Sequence, residues 1–129
     1  MILNLTDISE EPLQGQIYRQ IRAKILNGEL EAGEMLPSIR GLAKDQKVSV
    51  ITVQRGYEIL ERENLIVSRR GKGFFVSDVK DNTKKNMSKE KLIENVEPLI
   101  KIALEEGLTQ DEIFEILKQL LGEKENNNL

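Results

Sequence analysis

The chain has 129 residues, with 19 Lys+Arg, 22 Asp+Glu and no Cys, His or Trp. That length suits one ordinary domain, or a small domain with a short appendage. Without Cys and His there is no disulfide framework, thiolate nucleophile, zinc or iron–sulfur site, catalytic triad or imidazole acid–base catalyst. Metal ligation survives only through oxygen donors, as for calcium or magnesium. The chain is expected to carry no metal site and no cofactor, and not to be an enzyme.

The net charge of −3 is unevenly spread. Residues 1–77 hold 11 basic against 10 acidic side chains, whereas residues 78–129 hold 8 against 12. Within residues 38–72 there are 8 basic and 4 acidic side chains, a net of +4 inside an acidic chain. A local excess of this kind points to one basic face. Met1 to Glu11 has no basic n-region and carries Asp7, Glu10 and Glu11, unlike a signal peptide. No apolar run approaches 18 residues, so no membrane span is expected and the cytoplasm is the expected location.

The first helix is predicted from Pro12 to Leu26. Pro suits the first helical turn, and Leu13, Ile17, Ile21 and Ile25 recur every four residues as one apolar stripe. Asn27-Gly28 supplies a left-handed stop. Gln14, Arg19, Gln20 and Lys24 fall on the polar side. The stretch Gly28 to Pro37 holds two glycines and a proline and reads as a structured loop. Ser38 can cap a short helix whose apolar face is Ile39, Leu42 and Ala43, ending near Asp45-Gln46. Ser49 caps a longer one, with Val53, Tyr57 and Leu60 at i, i+4, i+7 and Asn64 as its terminator. A short helix, a tight turn and a longer helix form the helix-turn-helix layout. Gly56 inside the second helix costs about 1 kcal/mol relative to Ala, which implies close packing against the first or the short helix.

Leu65 to Ser68 and Phe74 to Val76 read as strands joined by Arg69-Arg70-Gly71-Lys72-Gly73, a hairpin with a basic tip. Ser77 to Met87 has almost nothing to bury and reads as a linker over residues 78–87. Helical periodicity returns at Ser88, with Leu92, Val96, Leu99, Ile100, Ala103 and Leu104 on one stripe. Pro98 should kink or break that helix. Thr109 to Glu112 is a capping box. After it, Ile113, Ile116, Leu117, Leu120 and Leu121 form a second stripe, flanked by Phe114. Residues 88–122 are thus expected to be helical and residues 123–129 a disordered polar tail. The fold class is mostly α with one small β-hairpin: a winged helix-turn-helix domain over residues 1–77, then a two-helix tail.

The strings Gly28-x-Leu30-x-x-Gly33-x-x-Leu36-Pro37-Ser38-x-Arg40-x-Leu42-Ala43, Val48-Ser49-x-x-Thr52-Val53-x-x-x-Tyr57, Leu60-Glu61 and Gly71-x-Gly73-x-Phe75-Val76 together resemble the GntR family of bacterial transcription regulators. The resemblance covers residues 12–77. It implies a DNA-binding regulator, most simply a repressor. The N-terminal half of the second helix would read the major groove through Ser49, Val50, Thr52, Gln54 and Arg55. Ser38 and Arg40 would meet the DNA at the groove entrance, and Arg69, Arg70, Gly71 and Lys72 would enter the minor groove. Gln54 suits adenine edges, and Arg55 guanine edges or phosphate. Val50 stands where many family members carry Arg, and its methyls can pack on a thymine methyl.

Beyond Ser77 only 52 residues follow, too few for a ligand-binding sandwich or an enzyme domain. Two amphipathic helices resemble the short, YtrA-type subfamily, in which such a tail mediates dimerisation. Leu92, Val96, Leu99, Ile100, Ala103, Ile113, Ile116, Leu117 and Leu120 are the expected dimer residues. Two-fold pairing would match a palindromic operator. The expected partners are double-stranded operator DNA and a second copy, with no membrane. An effector ligand is not legible. The competing reading is a winged-helix module that binds protein instead of DNA. The basic wing argues against it, because interface cores are depleted in charge. The acid pairs Glu105-Glu106 and Asp111-Glu112 sit at helix ends, where capping or solvation explains them better than catalysis.

Overall fold

The computed structural model describes residues 1–127. In chain order it forms α1 (Leu13–Leu26), α2 (Ile39–Gln46), α3 (Val50–Arg62), β1 (Ile66–Arg69), β2 (Gly73–Val76), α4 (Asp81–Glu105) and α5 (Gln110–Asn127). The chain divides into two compact units, the first spanning Met1–Lys85 and the second beginning at Asn86.

The core of the first unit follows from the four-residue spacing along α1. Ile17, Ile21 and Ile25 are fully enclosed and face Val53, Tyr57 and Leu60 of α3. Leu42 and Ala43 of α2 and Leu65, Ile66 and Val76 of the hairpin close the remaining sides. Gly56 is the point of closest approach. A Cβ there would stand 3.0 Å from Ile17 Cγ2 and 3.3 Å from the Gln14 carbonyl oxygen, so the neighbour that requires glycine is α1.

Both helices of the helix-turn-helix start on serine. Ser38 Oγ accepts from the Gly41 N–H at 3.0 Å, and Ser49 Oγ accepts from the Thr52 N–H at 3.1 Å. These bonds satisfy amide groups that the helix itself cannot. Between them the chain reverses at Lys47, which is left-handed at φ 56° and lets the Val48 N–H return to the Ala43 carbonyl at 3.0 Å. Asn64, at φ 61°, ends α3 in the same way and delivers Leu65 into the core.

The hairpin is antiparallel, with Ile66 opposite Val76, Val67 opposite Phe75, Ser68 opposite Phe74 and Arg69 opposite Gly73. The loop before α2 lines the other edge of β2. Gly33 N–H donates to the Val76 carbonyl, Val76 N–H to the Glu34 carbonyl and Leu36 N–H to the Phe74 carbonyl, all within 2.8–2.9 Å. Met35 therefore stands opposite Phe75. The N-terminal segment is tied to α1 by two glutamines. Gln16, buried, accepts from the Thr6 N–H at 2.9 Å and donates to the Thr6 and Glu11 carbonyls at 2.9 and 2.8 Å. Gln20 accepts from the Asn4 N–H and donates to its carbonyl, both at 2.8 Å. Gln20 thus pairs with backbone instead of simply facing solvent, and Leu3 is carried into the core.

Two expectations for the C-terminal part are corrected, and the alternatives at Pro98 are narrowed. The linker proposed over residues 78–87 is helical from Asp81 onward. The segment holds only Val79 and Met87 as apolar residues but contains no helix breaker. Propagation from an existing helix is cheap, and Asp81 complements the dipole at the first turn. Pro98 does not break the helix, which runs through it from Asp81 to Glu105. The tail over residues 123–129 is not wholly irregular, because α5 continues to Asn127; residues 128 and 129 lie outside the described residues. In the turn, Thr109 Oγ1 accepts from the Glu112 N–H at 3.2 Å, and the Thr109 N–H donates to Glu112 Oε1 at 3.0 Å, the expected reciprocal cap. Those backbone and hydroxyl donors hold the Glu112 carboxyl below its ordinary range.

Candidate nucleic-acid interface

The buried residues of α3 determine which side chains remain outside. With Val53, Gly56, Tyr57 and Leu60 turned to the core, Val50, Ile51, Gln54, Arg55 and Glu58 are exposed. Thr52 is half-buried, and its hydroxyl lies 2.7 Å from that of Ser49. Ser49 therefore caps the helix while remaining accessible at its N-terminus. Ser38 has the same double character one helix earlier, and Arg40, on the first turn of α2, is exposed. Arg40, Arg55, Arg70 and Lys72 make no side-chain hydrogen bond or ion pair with the described residues, so their donors are open to an anionic partner.

The wing tip turns through Gly71 at φ 74° and Gly73 at φ 102°, conformations that L side chains rarely adopt. The Lys72 N–H closes the turn on the Arg69 carbonyl at 2.9 Å. Arg69 lies over the Phe75 ring, its guanidinium carbon 5.0 Å from the ring centroid. Ser68 Oγ donates to Glu61 Oε2 at 2.9 Å, which joins the first wing strand to α3. Just past the end of α3, Glu63 accepts the Tyr18 hydroxyl and lies 3.8 Å from the Arg22 guanidinium, joining the helix end to α1.

The structure thus carries Ser38, Arg40, Ser49, Val50, Thr52, Gln54, Arg55, Arg69, Arg70, Gly71 and Lys72 on the first unit, Thr52 alone among them half-buried and the rest exposed. Sequence reasoning missed Glu58, whose carboxylate accepts from Gln54 Nε2 at 3.1 Å. The i,i+4 spacing could have revealed it. The Glu61–Ser68 and Tyr18–Glu63 contacts join distant segments, and no local pattern announces them. Among the described residues no cluster of acidic side chains is placed to hold a metal ion, and no helix is long and apolar enough to cross a membrane.

The second unit presents the other predicted set. Leu92, Leu99, Ile116, Leu117 and Leu120 are exposed, while Val96, Ile100, Ala103 and Ile113 are half-buried. An apolar depression at the turn between the helices is lined by Ile100, Leu104, Ile113, Phe114 and Leu117. Along their lengths α4 and α5 make few contacts with each other.

Two serine-capped helices joined by a tight turn, with a polar outer half on the second and a basic-tipped hairpin behind it, define a winged helix-turn-helix DNA-binding protein. Residues 13–76 match the family of bacterial regulatory proteins, gntR family. Over 113 residues the chain is 35% identical to the HTH-type transcriptional regulator YhcF of Bacillus subtilis, covering 85% of this chain and 90% of that protein. It is 30% identical to the HTH-type transcriptional repressor YtrA of the same organism, covering 87% of this chain and 86% of the relative. A GntR family transcriptional regulator from Listeria monocytogenes superposes with a TM-score of 0.70 at 30% identity, covering 89% of this chain and 98% of that structure. The chain belongs to the GntR family, with the short YtrA-type members. It is a DNA-binding transcription regulator, and the family is one of regulators and not of enzymes.

Proposed function

We propose that the chain is a repressor that binds a palindromic operator as a homodimer in the bacterial cytoplasm. In this reading residues 1–77 bind DNA and the helical residues from 88 to 122 hold the two copies together. The observation that carries it is the apolar surface left uncovered on α4 and α5, where Leu92 is 64%, Leu99 65% and Leu120 59% exposed. Surface of that kind on consecutive helices needs a partner. A second copy buries both stripes at once and relates two reading helices by a two-fold axis. That the relative YtrA is named a repressor supports the direction of regulation.

On the DNA, Val50, Gln54 and Arg55 address base edges in the major groove, with Ser49 and Thr52 offering hydroxyls to bases or phosphates. Arg40 and Ser38 contact the backbone at the groove entrance. Arg69, Arg70 and Lys72 enter the minor groove, where Gly71 permits close approach. The half-sites of the operator are about 10 base pairs apart, or a multiple of that, since successive major grooves on one face recur at that interval.

The test is selection of bound DNA from a random pool, followed by footprinting and sedimentation. An inverted repeat protected by a dimer is expected. A confirmed dimer that protects one asymmetric half-site, or a chain that stays monomeric at micromolar concentration, would overturn the two-fold reading. With 6–10 phosphate contacts, affinity should fall about 10³–10⁵-fold between 50 and 200 mM salt.

A further inference from the structure

The wing sheet carries a row of side chains on one face. Arg69 stands opposite Gly73, Val67 opposite Phe75, and Phe75 in turn opposite Met35 on the far edge. Alternate residues of a strand share a face, so Arg69 and Phe75 are diagonal neighbours, a separation that long and aromatic side chains bridge. Gly73 has no side chain to stand between them. Val67 and Met35, 40% and 64% exposed, flank the ring on either side. The Arg69 guanidinium carbon is 5.0 Å from the ring centroid, within the range of a cation–π contact.

The Arg69 guanidinium makes no hydrogen bond or ion pair with the described residues, so its five N–H donors stay available while the ring supports the group. Arg19 shows the contrasting case, with both Nε and Nη2 engaged by the Glu11 carboxylate at 3.0–3.1 Å. Arg70 and Lys72, beyond the strand end, have no such platform among the described residues.

We infer that Phe75 is a positioning residue for DNA recognition: its ring holds Arg69 ordered at the base of the wing tip, with the donor edge free for acceptors in the minor groove. This rests on the operator-binding reading above. A rotamer-rich side chain that is already ordered loses less entropy on binding, so the ring contributes affinity without touching DNA. The flanking Val67 and Met35 limit where the ring can turn. The wing is therefore more than a charged loop on a glycine turn.

The experiment compares full-length wild type with Phe75→Leu, Phe75→Tyr, Arg69→Ala and the Arg69→Ala/Phe75→Leu double variant on one selected DNA sequence, with melting temperatures recorded for each. Phe75→Leu keeps apolar bulk but removes the π face and should weaken binding about 2–5-fold, the range of an exposed cation–π contact. Phe75→Tyr keeps the ring and should bind like wild type. In the Arg69→Ala background, Phe75→Leu should add nothing, because its effect passes through Arg69. An equal loss in both backgrounds would show a structural role alone and overturn the inference, as would an Arg69→Ala variant that binds like wild type. The Arg69 δ-methylene proton resonances give a DNA-independent readout. They should be shifted upfield by the ring in wild type and Phe75→Tyr and return to the random-coil position in Phe75→Leu; identical shifts in all three would also overturn it. A wild-type chain that protects no sequence refutes operator binding itself and this inference with it, whereas wild-type binding with any of the other failures refutes this inference alone.

Discussion

The hydroxyl of Tyr57, in the middle of α3, donates to the carbonyl oxygen of Pro37 at 2.8 Å. One side chain thereby joins the reading helix to the loop that launches α2, while its ring meets Phe74 of the wing edge-on with centroids 5.1 Å apart. Burial of the phenol pushes its pKa up. A raised folded value means that its contribution to stability is full below the unfolded tyrosine value of about 10 and is lost as pH rises through the folded value. The melting temperature should therefore decline above about pH 10. Tyr57→Phe should cost about 0.5–1.5 kcal/mol at neutral pH by removing the hydrogen bond. The two proteins should converge in stability at alkaline pH, and parallel pH profiles would contradict this account.

Gly56→Ala sets helix propensity against packing. Alanine would favour the helix by about 1 kcal/mol, but its Cβ would press on Ile17 and on the Gln14 carbonyl oxygen, and overpacking costs about 1–3 kcal/mol. Because one of the obstructing atoms is backbone, the strain should prevail. The variant should melt lower than wild type, and a higher melting point would mean that α1 yields more easily than its packing implies.

Gln16 is the buried polar residue whose loss should be felt farthest from its own helix. Gln16→Leu preserves bulk but abandons the Thr6 N–H and the Thr6 and Glu11 carbonyls, so a cost of about 1–3 kcal/mol is expected. Denaturant titration gives the cost. Amide exchange at Thr6 should accelerate at the same time, and protection there as strong as in wild type would show that Gln16 does not hold the N-terminal segment.

In the second unit the Thr109–Glu112 cap makes an acid-side prediction. The lowered folded value of Glu112 means that its stabilising contribution is present above the ordinary unfolded carboxyl range and is lost as pH falls through the lowered value. Helicity followed by circular dichroism should fall on acidification, and Glu112→Gln should flatten part of that change.

Arg40 and Val53 should separate binding from folding. Arg40→Ala removes an exposed cation and should weaken DNA binding about equally across sequences and lower the salt slope by about 1, with little change in melting temperature. Val53 is fully buried, and Val53→Ala should destabilise the fold by about 2–4 kcal/mol. Leu99→Asp should act on assembly instead, giving a folded monomer with weak operator binding, because a charge would occupy the apolar stripe.

The helix-turn-helix was legible because its signals are local. The serines at 38 and 49 bond within three residues of themselves, and the four-residue spacing of Ile17, Ile21 and Ile25 is a property of one helix. The wing was legible for the same reason, although its first strand runs over Ile66–Arg69, one residue later than the expected Leu65–Ser68, and Gly73 extends the second. The stretch after Ser77 was misread because a scarcity of apolar residues signals little burial, not absence of a helix. The mostly polar residues 81–87 extend a helix that needs no core of its own there.

By itself the sequence determined the capped helices, the basic hairpin, the apolar stripes of the tail and the family to which they belong, since each is written in spacings of a few residues. Tertiary structure alone decided that Gly56 accommodates Ile17, that Gln16 holds Thr6 and Glu11, that Glu63 accepts Tyr18, and that the loop at Met35 lies beside Phe75. The physical reason is that such contacts depend on which surfaces meet after collapse. A glutamine or a glycine has the same local preferences whether it faces water or a neighbouring backbone, and only packing distinguishes the two.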